Sequence, residues 1–183
     1  WIKFAFQDDL LEPDCLQRLL QAASPERPFA ACDRSFIFHE GVPAAQAAWF
    51  EAQRQYVKRI YANRPYLTDE EFAREVLARP GLNIVGEPTV TLLHRTVFAR
   101  CGAFNPLVVQ SCDSEFWMRA GSNFGIAFVD EPLARFRVHP GSTTSFNARK
   151  RQFRSDMLDL LVEFHDMANR AEYATIRRVA RAC

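Results

Sequence analysis

Two adjacent carboxylates, Asp8 and Asp9, stand between a short apolar run, Trp1 to Phe6, and a helix that Pro13 opens. This order of strand, acid pair and helix constrains the chain more than any other stretch. The apolar run suits one buried strand. A helix over 14–23 follows from the proline, which a first helical turn tolerates. In open α/β sheets ligands collect beyond the C-terminal ends of strands, where these acids would stand. Side by side they repel, so a cation or a sugar hydroxyl that shares their charge would favour the pair. Mg2+ and Mn2+ take oxygen ligands and suit it. The plainer reading is a pair of solvated turn acids, because Asp is common in turns.

The chain has 183 residues, enough for one domain with a core, and its 16 Phe fit a well-filled interior. A net charge of +1 indicates neither a nucleic-acid footprint nor an acidic tail. The five cysteines, Cys15, Cys32, Cys101, Cys112 and Cys183, are odd in number and none are spaced C-x-x-C. Reduced thiols in a cytoplasmic protein are expected, not a zinc site or a disulfide framework. No apolar run reaches membrane-spanning length, and no signal peptide is seen. The sequence opens inside a strand, with no strand–helix unit before it, which leads us to expect a piece of a longer protein.

Further along, a strand over 30–39 and an amphipathic helix over 44–62 are predicted. Thr68-Asp69-Glu70-Glu71 has the form of a capping box before a helix over 69–78. A strand over 84–93 is broken by Gly86-Glu87-Pro88, a bulge or a place where backbone meets ligand. Gly102 would cap a helix over 95–100. Asp113 stands where another helix begins, as a good N-cap, with Glu115 a first-turn acid. The helix dipole there is expected to lower the pKa of Asp113. A strand over 125–129 precedes a loop to Ser142. The segment 147–183 reads as a helical extension of the domain formed by 1–146, its basic residues solvating the helix or touching a membrane surface.

The stretch "KFAFQDDLLEPDCL" resembles the acidic motif of the family 2 glycosyltransferases, which have the GT-A fold. The turn Gly86, Pro88, Thr89 and the later Arg95, Phe98, Gly102 and Phe104 are similar to that family's next motif. Asp113, Trp117 and Arg119 resemble its E-D motif and helix, and "EPLARFRVHPGS" its closing loop. The likeness runs from Trp1 to about Ser145.

The resemblance implies an α/β fold: a partial, Rossmann-like GT-A mixed sheet flanked by helices, lacking the nucleotide-binding half. It implies an inverting transferase that moves a sugar from a nucleotide-diphosphate donor to a hydroxyl of a glycan or glycolipid acceptor. Asp9 would bind the divalent metal (Mg2+ or Mn2+) that holds the diphosphate, and Asp8 would face the ribose or share the metal. Arg137 and His139 would approach the diphosphate or the metal. Gly86, Glu87, Pro88, Thr89, Trp117 and Arg119 would line the acceptor side. Asp113 would be the general base, with Glu115 as neighbour or rival base. Two positions depart from the family pattern: Phe6 replaces an acid before Asp8, and Cys112 replaces the Glu before Asp113. A degenerate domain that binds a glycan or a protein is therefore the alternative. The family suggests polysaccharide or glycolipid synthesis in the cytoplasm or at the inner face of its membrane. An exposed edge at Trp1 to Phe6 would favour a homodimer.

Overall fold

The computed structural model describes residues 1–182. Six strands form one mixed sheet: β1 (Ile2–Lys3), β2 (Leu10–Leu11), β3 (Phe29–Phe38), β4 (Tyr66–Leu67), β5 (Thr91–Leu93) and β6 (Ile126–Val138). Their order is β1-β5-β3-β6-β2, with β4 pairing to β6 as well. The helices are α1 (Cys15–Ala22), α2 (Ala44–Tyr61), α3 (Asp69–Ala78), α4 (Arg95–Cys101), α5 (Cys112–Phe124), α6 (Thr143–Arg149), α7 (Gln152–Asn169) and α8 (Ala174–Ala182). The fold is thus mixed α/β, a sheet flanked by helices.

The sheet is built around β3 and β6, which pair in parallel from Ala30↔Ala127 to Phe38↔Val138. Phe29 to Cys32 are fully buried, as a central strand covered on both faces requires. The register shifts on either side of Asp33. At this irregularity the buried Asp33 meets Arg54 of α2, with Nε donating to Oδ1 at 2.9 Å and Nη2 to Oδ2 at 2.7 Å. Beyond it the two strands continue as a ribbon whose side chains alternate between faces. Phe36 and Phe136 point one way and pack on Phe50 of α2, with ring centroids 5.3 and 6.0 Å apart. Ile37 and Arg137, paired in the ladder, take the opposite face.

Several sequence-based boundaries move. The expected strand over 1–6 pairs with β5 only at Ile2 and Lys3. The strand expected over 84–93 is ordered as β5 only at its end, after a 3-10 turn at Pro88–Val90. The positive φ of Gly86 (+121°) turns the chain there. The strand expected to stop at 129 runs to Val138, because Pro132 sits beside the register shift at Asp33. The long C-terminal helix is broken into α6, α7 and α8, and the boundary placed at 146 falls inside α6. The capping box at Thr68 and Glu71 is formed, and Gly102 caps α4 with a φ of +79°. Cys15, Cys32, Cys101 and Cys112 are free thiols, while Cys183 lies outside the described residues. Among the described residues no helix is long and apolar enough to cross a membrane.

Candidate functional site

Asp8 and Asp9 lie in the turn between β1 and β2, held against the far end of the β3–β6 ribbon. The Arg137 backbone N–H donates to Asp9 Oδ1 at 3.0 Å, and Arg137 Nε donates to the Asp8 carbonyl at 2.7 Å. His139 Nε2 lies 3.2 Å from Asp8 Oδ2. The first acidic motif and the Arg-x-His segment, far apart in sequence, therefore meet. Arg137 is the penultimate residue of β6, not part of a loop, so the strand fixes its height and direction.

Burial raises the Asp9 carboxyl above the usual carboxylate range, with the charges of Asp8 and Glu87 adding to it and the Arg137 N–H opposing. Asp9 Oδ2 is buried without a hydrogen-bond partner. The buried Thr89 hydroxyl stands close enough to favour the charged carboxylate, but makes no well-formed hydrogen bond. Among the described residues, no group of three His, Cys, Asp or Glu is gathered to hold a metal ion. Asp9 does hold one buried carboxylate oxygen without a hydrogen-bond partner, the donor type a hard divalent cation takes. His139 is engaged with Asp8. A cation here would take the remainder of its ligands from a bound phosphate or from water.

The second half of the site is a polar knot around Gly86. Asn83 Oδ1 accepts from the N–H groups of Val85 and Gly86 at 3.0 and 2.8 Å. Its amide nitrogen donates to the Gly86 carbonyl and to Asp113 Oδ2, both at 3.1 Å. Trp117 Nε1 donates to the same Gly86 carbonyl at 2.9 Å. A Cβ on Gly86 would come within 2.9 Å of Arg34 Nη1, so the turn is closed to larger residues. Glu87 forms an ion pair with the buried Arg34, 2.6 Å from its Nε. The atoms of this pair are poorly aligned for a hydrogen bond and have no other partner. The charge of Glu87 reaches both Asp9 and Asp113, and so links the two acidic motifs. Pro88 opens the 3-10 turn, and the Thr89 carbonyl accepts from Lys3 Nζ.

Asp113 is not the N-cap. Ser111 occupies that position, and Asp113 falls in the first turn of α5. Its Oδ1 accepts from the Ser114 N–H at 2.7 Å. The expectation of a lowered pKa is also overturned. Burial pushes Asp113 up to about 7, with Glu87 adding to the shift and the Ser114 N–H opposing it. Desolvation of the charged form outweighs the helix terminus.

Glu115 and Arg119 pair with each other inside the protein. Arg119 Nε and Nη2 donate to the two carboxylate oxygens at 2.5 and 2.6 Å. Arg119 also ties down the carbonyls of Cys101 and Ala103 at the end of α4. The pair joins α4 to α5, and neither residue faces a ligand space. Trp117 is buried and stacked on Phe29, with ring centroids 5.3 Å apart. It holds the Gly86 turn instead of offering a face to a sugar.

Sequence reasoning missed Arg34, Asn83 and His39. A charged residue inside the apolar run 29–38 was a signal for Arg34, since buried charges need partners. Asn83 gave no signal. His39 Nε2 lies 3.0 Å from Arg137 Nη1, a contact that depends on the parallel pairing of β3 with β6. Compared with protein-family models, curated proteins and solved structures, the chain matches none.

Proposed function

We propose that this chain carries the diphosphate-facing and acceptor-facing part of an inverting glycosyltransferase of the family 2, GT-A type. The reading rests on convergence. Far apart in sequence, Asp8 and Asp9 meet the Arg137–His139 segment, the turn at Gly86 meets Asp113 through Asn83, and the charge of Glu87 reaches both clusters. A chance resemblance of short motifs carries no reason for them to meet.

In this reading Asp113 takes the proton from the acceptor hydroxyl as that oxygen attacks the anomeric carbon from the face opposite the leaving diphosphate. A carboxyl raised to about 7 is a better base than an ordinary one and is still ionised in useful amount near neutral pH. Asn83 and the Ser114 N–H fix its orientation. Arg137 and His139 approach the diphosphate. Asp9 would hold a divalent cation, Mg2+ or Mn2+, which when bound neutralises charge on the diphosphate. The charge of Glu87 reaches both Asp9 and Asp113, and the Thr89 hydroxyl stands beside Asp9. The donor is a nucleotide-diphosphate sugar and the acceptor a glycan or glycolipid hydroxyl.

A second reading, a non-catalytic module of the same fold that binds a glycan or protein, is favoured by Phe6 and Cys112, which stand where the family pattern has acids in both motifs. A melting curve with UDP and Mn2+, run beside Asp9→Ala, separates the two. Ligand at about 100 times its dissociation constant adds about 2.7 kcal/mol. In a domain this size that raises Tm by roughly 5–10 °C. The transferase reading expects this rise and its loss in Asp9→Ala. No rise in the wild-type protein counts against a donor site.

A further inference from the structure

We infer that His39 is a positioning residue for the phosphate-binding side of the site, acting through Arg137. The inference rests on the reading of that side as a diphosphate site and extends it to a residue outside every motif of the resemblance. The backbone N–H of His39 donates to the Val138 carbonyl at 3.0 Å, which prolongs the β3–β6 ladder by one step. Strand alternation then places His39 on the same face of the ribbon as Ile37, Arg137 and His139, opposite the aromatic face packed on α2. The rings of His39 and His139 lie side by side, with centroids 5.9 Å apart.

The guanidinium of Arg137 is held at two corners. Its Nε donates to the Asp8 carbonyl at 2.7 Å, and its Nη1 meets His39 Nε2 at 3.0 Å. An arginine has only donors, so His39 must present a bare Nε2 lone pair and carry its proton on Nδ1. With Nε and Nη1 committed, the Nη2 edge is the one left to meet an incoming oxyanion. A planar fork fixed in this way loses less freedom when it binds a phosphate than a loose side chain does. His39 is exposed, so its replacement leaves the core intact.

The test is calorimetric titration of the chain with inorganic pyrophosphate in the presence of Mg2+. It compares wild type, Arg137→Ala, His39→Ala, His39→Gln and the double Ala variant, with inorganic phosphate as a control. Wild type should bind pyrophosphate more tightly than phosphate. His39→Ala should weaken pyrophosphate binding roughly three- to tenfold, the worth of one oriented charge-assisted contact. His39→Gln, whose amide oxygen can accept from Nη1, should recover most of the affinity. The double variant should bind no worse than Arg137→Ala alone, because His39 acts through that side chain. If Arg137→Ala loses affinity and His39→Ala does not, the role of His39 is refuted and the diphosphate reading stands. If wild type fails to bind pyrophosphate, both are overturned.

Discussion

The indole N–H of Trp117 donates to the carbonyl of Gly86 at 2.9 Å, joining the buried face of α5 to the turn that carries Glu87. The bond explains why a tryptophan near Asp113 is buried instead of open to a ligand. Trp117→Phe keeps an aromatic ring against Phe29 but removes the donor and leaves a small cavity, so the cost of the lost hydrogen bond is a lower bound on the destabilisation. The loss of one buried hydrogen bond costs about 1 kcal/mol. Urea and thermal melts should show at least that loss, with Tm lower by roughly 2–4 °C or more. An unchanged midpoint would mean that Asn83 alone secures the turn.

The elevated Asp113 sets a pH signature. Its folded pKa of about 7 lies above the ordinary carboxylate value of 3.8. Between those values the folded protein holds a proton that the unfolded chain has released, so this group's contribution to stability is lost as pH rises toward 7. The effect should reach about 4 kcal/mol by pH 8 and vanish in Asp113→Asn. Melts of both proteins at steps from pH 4 to 8 measure it, and parallel curves would rule out the shifted carboxyl. In an active enzyme the acid limb of the rate profile should lie near 7, and Asp113→Asn should abolish transfer while sparing donor binding.

Asp156 of α7 is completely buried and serves the start of α5. Its Oδ2 accepts from the N–H groups of Gln110 and Ser111, the latter at 2.7 Å, and its Oδ1 from Gln152 Nε2 at 2.9 Å. Asp156→Ala strands two amide donors, that of the buried Ser111 and that of the half-buried Gln110, beside the segment that carries Asp113. A cost of about 2–4 kcal/mol is expected, with Asp156→Asn milder because it keeps one acceptor. Chemical denaturation decides this, and a loss below about 0.5 kcal/mol would show that the amides find other partners.

The sequence by itself determined most of the helices, and α3 shows why. Thr68 and Glu71 satisfy each other's backbone within one turn, so the signal is wholly local. The same holds for the glycine that ends α4. Strand extents were less legible. The length of β6 depends on finding β3 beside it, and a register shift lets the pairing pass Pro132. Nothing local records such a partner.

The site divides along the same line. Its acids could be picked out because charged residues beside apolar runs demand a reason. Their states could not, because a pKa is set by everything that crowds a group. Asp113 rises where its helix position alone predicts a fall, since burial removes water that the sequence does not reveal. Glu115 looked like a spare base until Arg119, one helical turn on, was found to occupy both of its oxygens. Arg34 belongs to the site because β3 lies beside the turn that carries Gly86 and Glu87, and His39 because β3 lies parallel to β6. Residue type and local order were legible in the chain; which groups are desolvated, paired or left open was decided by tertiary packing, because desolvation and long-range pairing have no local signature.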